Sequence, residues 1–330
     1  MIRARRNTAV TLALALGIGV AGVASGQAPL PPSQASHAAP RTMKALPDTG
    51  QTKHYTETPG EDSFYSIRPP SYKDNGDGTV TDLVTGLQWQ QADGGEKPWD
   101  ASVGYCKALD LAGKIDWRLP YVQELFTILN HESGFPALAS VFIKSNAQYW
   151  WAAEERVGNP EYAWATNAGG GAGAHPKKET VSSGGDKRYS ARCVRGSELG
   201  KPGDPHYTDG EDGTVTDNRT GLVWQKVEGL PAATWEEALV YAEGLSLAGH
   251  DDWRLPNIKE LESLSTPYAV KPTIDTDFFP GTPAALYWAS TSLAGHGEKA
   301  WTVSFNFGVV SYNPKTDKLH VRAVRGGTVR

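Results

Sequence analysis

Aspartates at the start of two similar segments have the type and spacing to bind a metal ion. They are Asp74, Asp77 and Asp82 in the first segment, and Asp209, Asp212 and Asp217 in the second. Carboxylates that converge at a glycine-bearing turn are typical ligands of Ca²⁺. The spacing departs from the Asp-x-Asp-x-Asp-Gly calcium loop, and no bidentate Glu follows. Because Asp and Gly also favour a hairpin turn, the sequence predicts turns, with calcium sites as the alternative.

A Trp-Arg-Leu-Pro motif also occurs twice, each time with a glutamate six residues after the arginine. The residues are Trp117, Arg118 and Glu124 in the first copy, and Trp253, Arg254 and Glu260 in the second. A guanidinium beside a tryptophan can stack on the ring or form a forked pair with a carboxylate. The pattern predicts a buried structural clamp at a helix start, and a ligand site is the alternative.

The chain has two cysteines, and both lie in the same copy of the repeat. The counterparts of Cys106 and Cys193 in the second copy are Ala242 and Ala323. Loss of both together is expected if the two side chains touch, so we predict a disulfide bond rather than free or metal-bound thiols. On a chain-entropy model the bond contributes roughly 4 kcal/mol to stability.

The histidines give little indication of catalysis. None of the eight occupies a matching position in the two copies, and no His-x-x-x-His or Cys–His arrangement is present. These are the groups from which an activated nucleophile or a general base is most often built. We therefore predict no enzyme. If one copy alone were catalytic, His131 or His175 would be the leading candidate.

Unmatched residues are the candidates for ligand binding. Eight tryptophans keep their places in both copies and are predicted to lie in the core. Trp151, whose counterpart is Ala289, is a candidate for stacking on a sugar ring. The long loop of the first copy adds basic candidates, which are Lys177, Lys178, Lys187 and Arg188.

These residues all belong to one module that occurs twice. Asp-Gly-Thr-Val-Thr-Asp, Thr-Gly-Leu-x-Trp-Gln, Tyr-Trp and a closing Arg-x-Val-Arg-Gly recur in the same order. The sequence therefore predicts a first domain at 72–196, a linker at 197–206 and a second domain at 207–330.

Each copy predicts the same short series of elements. Alternating β-branched residues around a glycine-rich turn predict a hairpin. The apolar spacing predicts a helix from Trp99 to Leu111, and Pro120 suits the start of a second one. Short aromatic strands follow, at 148–152, 162–166 and 188–194 in the first copy and at 301–307, 309–312 and 318–324 in the second. The fold class is α+β, with a hairpin, two helices and a small antiparallel sheet with long loops.

The N-terminus predicts export. Residues 1–26 combine three arginines, an apolar run and a small-residue cleavage site, which is typical of a signal peptide. The run is short for a membrane span, and an uncleaved anchor is the alternative. Residues 27–71 are rich in proline without an apolar period, which predicts a flexible tether. We expect a periplasmic, secreted or cell-surface protein with no transmembrane segment after cleavage.

The charge of the chain excludes one class of partner. The 330 residues have a formal net charge of −5. Removal of the predicted signal peptide, with three basic and no acidic residues, leaves 29 basic against 37 acidic residues, or −8. Such a chain has no electrostatic basis for nucleic-acid binding.

The ordered series of motifs resembles the C-terminal domain of the Legionella collagen-like adhesin, a family of bacterial domains. The Arg-Leu-Pro helix start is also similar to the formylglycine-generating enzymes, whose fold is a variant of the C-type lectin fold. A disulfide from a helix to the closing strand is similar to the usual bridge of that fold. The resemblance implies two tandem C-type-lectin-like domains outside the cytoplasm, and the named adhesin binds sulfated glycosaminoglycans.

The charge balance argues for a different ligand here. Binding of a sulfated chain needs a concentrated basic patch, whereas the domains have 13 basic and 15 acidic, and 10 basic and 16 acidic residues. We predict a non-catalytic adhesion protein of the bacterial cell envelope or exterior that recognises a surface or matrix component. Carbohydrate is the favoured class, read by divergent loops at 166–188 and 305–318. The alternatives are an enzyme on a formylglycine-generating-type scaffold and a structural cell-envelope protein.

Overall fold

The computed structural model describes residues 46–181, 185, 188–196 and 206–326, which belong to one compact unit. The predicted signal peptide, the first part of the predicted tether, Lys187 and the linker residues 197–205 lie outside this part. In the part that is described, no helix has the length and apolar character needed to cross a bilayer.

The first repeat follows the predicted order of hairpin, two helices and sheet. Its elements are β1 (Tyr72–Asp74), β2 (Thr79–Asp82), β3 (Gln88–Gln90), α1 (Trp99–Ala108), α2 (Val122–Thr127), β4 (Ala147–Arg156), β5 (Asn159–Asn167), β6 (Ala172–Pro176), β7 (Arg188–Ser190) and β8 (Val194–Arg195). The helix α1 ends earlier than predicted because Leu109 is already extended, and Leu111 bridges Lys114 in a turn.

The second repeat has the same elements except a counterpart of β7. They are β9 (Tyr207–Asp209), β10 (Thr214–Asp217), β11 (Leu222–Gln225), α3 (Trp235–Glu243), α4 (Ile258–Ser263), β12 (Leu286–Leu293), β13 (His296–Ser304), β14 (Val310–Pro314) and β15 (Val324–Arg325). The strand predicted at 318–324 is therefore mostly irregular, with isolated bridges at Leu319 and His320 before β15. The α+β class is correct.

Within the described residues, one sheet runs through both repeats in the order β12-β13-β14-β6-β5-β4-β7. The repeats meet where β6 pairs with β14, through Ala172 and Val310. β6 lies inside the segment 166–188 that was predicted to be a long divergent loop, and that prediction is wrong there because the backbone groups of β6 are paired within the sheet. β14 also lies inside a predicted loop segment, 305–318, but it agrees with the strand predicted at 309–312. Smaller sheets, β1-β2-β3-β8 and β15-β11-β10-β9, close the two ends.

The repeats also share one hydrophobic core. Matched tryptophans of both repeats are buried in the same cluster, which includes Trp89, Trp164, Trp224 and Trp301. Two of them pack against a tight turn of the opposite repeat. A Cβ atom on Gly308 would lie 2.8 Å from the Trp164 ring, and one on Gly170 would lie 3.1 Å from the Trp301 ring. The repeats therefore interlock instead of forming independent heads.

The predicted disulfide is confirmed. Cys106 on α1 is bonded to Cys193, just before β8, across 87 residues of sequence. In the second repeat Ala242 and Ala323 are fully buried in one apolar cluster. The same helix-to-strand contact is therefore covalent in one repeat and purely hydrophobic in the other.

Residues 46–71 form a strap that is packed on both repeats, rather than a flexible tether. The amide of His131 in the first repeat donates to the carbonyl of Thr49 at 2.9 Å. Gln51 donates to the carbonyl oxygen of Ser292 (2.8 Å) and accepts from its amide (3.0 Å). The carboxylate of Asp62 accepts hydrogen bonds from Thr49 and Thr291, both at 2.6 Å. The prediction failed because the strap is held by buried polar contacts, and these leave no apolar period in the sequence.

At the N-terminus of its second helix, the first repeat uses a carboxylate of its own, whereas the second repeat uses a carboxylate from the strap. Glu154 on β4 accepts hydrogen bonds from the first amide of α2, at Val122. In the second repeat the amide of Ile258 donates to Thr291 (3.0 Å), and the hydroxyl of Thr291 donates to Asp62. Through the hydroxyl of Thr291, Asp62 therefore connects the strap to the start of α4 by hydrogen bonds, at the place where Glu154 lies in the first repeat.

Candidate functional site

The predicted clamp is present in both repeats and is structural. The guanidinium of Arg118 donates to both oxygens of Glu124 at 2.6 Å, and Arg254 does the same to Glu260. Each glutamate also accepts the N-cap amide of its helix, from Tyr121 at 2.8 Å and from Asn257 at 2.9 Å. The pair in the second repeat is almost wholly buried, so its groups are used within the fold.

The aspartates of the first hairpin are occupied by turn hydrogen bonds. Asp74 accepts from the amide of Gly76 (2.8 Å), and Asp77 accepts from both the amide and the hydroxyl of Thr79. Asp82 is buried and accepts the amide of Val84 at 2.9 Å. Their counterparts Asp209, Asp212 and Asp217 make the corresponding turn contacts. No three His, Cys, Asp or Glu side chains converge as metal ligands anywhere in the described ranges.

Trp151 does not have the exposed face that the sequence predicted. It is fully buried, and its Nε1 donates to the carbonyl of Lys97 at 3.1 Å. Its ring stacks on Tyr189 at 4.6 Å, and Tyr189 stacks in turn on Tyr149 at 4.8 Å. The prediction of direct stacking on a sugar is therefore wrong, since Trp151 lies at the inner end of this three-ring stack.

Lys177 belongs to the repeat scaffold. Its ammonium lies 4.3 Å from the ring centroid of Trp99 and pairs with Glu155 at 2.5 Å. In the second repeat Lys315 lies 3.5 Å from the ring of Trp235. A lysine that has the same partner in both copies stabilises the helix start by a cation–π contact.

Lys178 and Arg188 do not form a common site. Lys178 is exposed, with its ammonium 3.9 Å from Glu161, whereas Arg188 pairs with Glu96. Neither is brought together with the buried Trp151. Lys187 lies outside the described residues.

The two histidines considered for catalysis support aromatic packing. His131 is buried, its Nε2 lies 2.9 Å from the carbonyl oxygen of Gly170, and burial lowers its pKa to about 3. His175 contacts the hydroxyl of Tyr189 through Nδ1 at 2.9 Å. A neutral, enclosed imidazole such as that of His131 is poorly suited to proton transfer with a substrate.

An open cavity lies at the junction of the two repeats, and we call it the junction groove. Its volume is about 360 Å³. The lining residues are Phe135, Gln148, Tyr149, Asn167, Gly169 and Gly171 from the first repeat, and Trp301, Val310, Ser311 and Tyr312 from the second. This volume is in the range of small-molecule sites in proteins.

Aromatic rings from both repeats form the walls of the junction groove. Tyr149 is the outer ring of the three-ring stack, so its position is fixed from behind. Trp301 is nearly buried and meets Tyr312 edge to face at 5.7 Å. Phe135 and Tyr312 are 60% and 48% exposed, which leaves them available to a ligand at the mouth.

A glycine-rich turn after β5 keeps the junction groove open. The side-chain oxygen of Asn167 accepts the amides of Gly169 (2.9 Å) and Gly171 (3.2 Å). Gly170 has a φ of +100°, and a Cβ on Gly171 would lie 2.8 Å from the carbonyl oxygen of Val310. Larger residues in this turn would strain the backbone or push the repeats apart.

The polar groups of the junction groove are amides and hydroxyls. None of its ten lining residues carries a charge. Two lysines lie at its edge: Lys144 is 5.7 Å from the ring of Phe135, and Lys299 is 5.4 Å from the ring of Tyr312. Lys144 also donates to two backbone carbonyls, and Lys299 lies 3.9 Å from Glu298.

The equivalent place in the second repeat is filled. Ala168 and Phe305 are counterparts, because each accepts the same backbone hydrogen bond at 2.7 Å from the loop after the second helix. Phe305 is fully buried and packs on Tyr287 at 4.8 Å. By strand pairing the counterpart of Tyr149 is Leu286, so the second repeat has no aromatic ring at the position that lines the groove. The sequence signal for the filled place was the contrast between Asn-Ala-Gly-Gly-Gly and Ser-Phe-Asn-Phe-Gly in otherwise matching segments.

The comparison with known families identifies the repeats. The family model described as the Lcl C-terminal domain matches residues 78–195 and again residues 213–325. The two matched segments correspond to the two structural repeats and together cover more than half of the chain. No curated protein matches the chain significantly.

Proposed function

The chain belongs to the Lcl C-terminal domain family, with two copies of the domain, and from this premise we propose that it is an exported, non-catalytic adhesion protein. Its ligand is a component of a surface or extracellular matrix, and carbohydrate is the class that its chemistry suits best. The domain is named for the Legionella collagen-like adhesin, which supports an adhesin-type role.

The junction groove is the observation that carries the carbohydrate assignment. Sugar rings present apolar C–H faces and a rim of hydroxyls, so they suit a site with aromatic walls and a few amide and hydroxyl groups. Tyr149, Trp301 and Tyr312 offer the rings, and Gln148, Asn167 and Ser311 offer the polar groups. The groove also borders the divergent segments in which the sequence places recognition.

Calcium and the C-type-lectin-like relation are further parts of this proposal. Two helices, a disulfide from a helix to the closing strand and an adjoining sheet support the relation to that fold. A calcium ion at the hairpin aspartates would have to compete with the turn amides that these carboxylates already accept. Binding experiments therefore need arms with and without Ca²⁺.

A structural role in the cell envelope is the second candidate function. It is favoured by one observation, the sheet that continues through both repeats and fixes their geometry. The enzyme alternative has less support, because both cysteines of the chain are buried in the disulfide and leave no thiol for redox chemistry.

The test is a glycan array probed with the chain from residue 27 onwards, so that the strap is retained. We expect binding to at least one glycan class. Silence both with Ca²⁺ and with a chelator would overturn the carbohydrate assignment and favour the structural role.

A further inference from the structure

The junction groove differs from a site for an anionic chain in its electrostatics. All ten lining residues are uncharged, and the lysines at the edge already contact Phe135 and Tyr312. A sulfate or carboxylate that entered the groove would lose water among uncharged groups, because Lys144 and Lys299 lie at the edge and not in the lining. Burial of an unpaired anion is strongly unfavourable, so the groove selects against such groups.

The shape of the groove suits a ligand whose ring has two apolar faces. Tyr149 is fixed by Tyr189 behind it, and Tyr312 is braced edge to face by Trp301. Rigid aromatic surfaces lose little conformational entropy when a ligand binds. Because Tyr149 and Tyr312 come from different repeats, one ligand contacts both repeats.

We infer that the junction groove binds an uncharged glycan chain, whose sugar rings pack on Tyr149 and Tyr312 and whose hydroxyls meet Gln148, Asn167 and Ser311. This inference rests on the proposed function and adds its ligand class. It assigns the groove to neutral sugars and not to sulfated or uronic-acid chains.

The variants that test it are Tyr312→Ala in the groove and Phe307→Ala outside it. Tyr312 is 48% exposed and Phe307 is 41% exposed, so both changes remove an exposed aromatic ring of the second repeat. Phe307 lies in the turn between β13 and β14 and does not line the groove. Thermal unfolding of each variant establishes that it is folded before binding is measured.

The experiment measures binding of neutral hexasaccharides (glucose, N-acetylglucosamine and mannose oligomers) and of a heparin hexasaccharide at low and high NaCl. We expect one neutral probe to bind almost independently of salt, and to bind roughly tenfold more weakly to Tyr312→Ala while Phe307→Ala is unchanged.

Three outcomes would overturn the inference. If heparin binds and Tyr312→Ala abolishes this binding, the groove is a site for an anionic ligand, and the proposed function still holds. Binding of a neutral probe that is unaffected by Tyr312→Ala would place the glycan elsewhere. Absence of binding to every probe, together with a silent array, would remove the proposed function as well.

Discussion

The two repeats place different residues at the same register position of the sheet. Tyr149 in the first repeat faces the junction groove, because Ala168 and a glycine-rich turn leave space beside it. Its counterpart by strand pairing is Leu286, since Tyr149 pairs with Asn167 and Leu286 pairs with Ser304. Duplication of a scaffold thus left an aromatic wall at this position in one copy and an aliphatic residue in the other.

The same division appears in what stabilises each repeat. The first repeat has a disulfide and its own Glu154 at the start of α2. The second has two alanines instead of the bridge and relies on Asp62 from the strap. The start of α4 in the second repeat therefore depends on a distant segment, whereas the start of α2 uses a residue of its own repeat. Each contrast predicts a measurable difference.

The largest difference is expected from the clamps. Arg254 is 3% exposed in its side chain and Arg118 is 23% exposed, although both form the same forked pair. Removal of one partner of a buried ion pair leaves the other charge unpaired, which costs about 3–5 kcal/mol. We expect Arg254→Ala to lower the free energy of unfolding by about that amount and Arg118→Ala by less. Urea unfolding of the two variants measures this, and equal losses would contradict it.

Removal of the disulfide should cost about 2–5 kcal/mol. The double variant Cys106→Ala with Cys193→Ala gives the first repeat the residues of the second, so the loss reports the cross-link together with the packing of two buried sulfur atoms. Chemical unfolding against the wild type measures it. The matched variant is Ala242→Cys with Ala323→Cys, which should form a bond in the second repeat. A double alanine variant as stable as the wild type would refute the expectation.

Features that both copies share were predictable from the sequence, and features that join the copies were not. The pairing of Arg118 with Glu124 spans six residues and repeats at Arg254, so local spacing was enough. The contact of Asp62 with Thr291 spans 229 residues and is polar, so no apolar periodicity in the sequence indicates it. The role of Trp151 was misjudged because the alignment of the two Tyr-Trp pairs is one residue out of register. By strand pairing the counterpart of Trp151 is Trp288, which is buried and donates to the carbonyl of Ala233 as Trp151 donates to that of Lys97.

The strap adds a smaller, pH-dependent effect. Burial raises the pKa of Asp62 to about 7 from its ordinary value of 3.8. The folded state therefore holds the proton of the Asp62 carboxyl more tightly than the unfolded state does. Its contribution to the free energy of unfolding is greatest below about pH 4 and is lost as the pH rises to about 7. Asp62→Asn keeps an oxygen acceptor without the charge.

Melting temperatures from pH 4 to pH 8 compare Asp62→Asn with the wild type. As the pH rises from about 4 to about 7, the melting temperature of Asp62→Asn should increase by several degrees relative to that of the wild type. Above pH 7 the difference should change little. Because other buried carboxyls titrate in both proteins, the difference between the two curves isolates Asp62. A difference that is constant with pH would show that Asp62 is not protonated in the fold.

The most direct test of the contrast between Tyr149 and Leu286 is the stoichiometry of glycan binding, measured by titration calorimetry with the neutral hexasaccharide that binds. A groove that is open at one repeat and closed at the other predicts one molecule bound per chain. Two equivalent sites per chain would contradict it, because both repeats would then recognise the ligand independently of the junction.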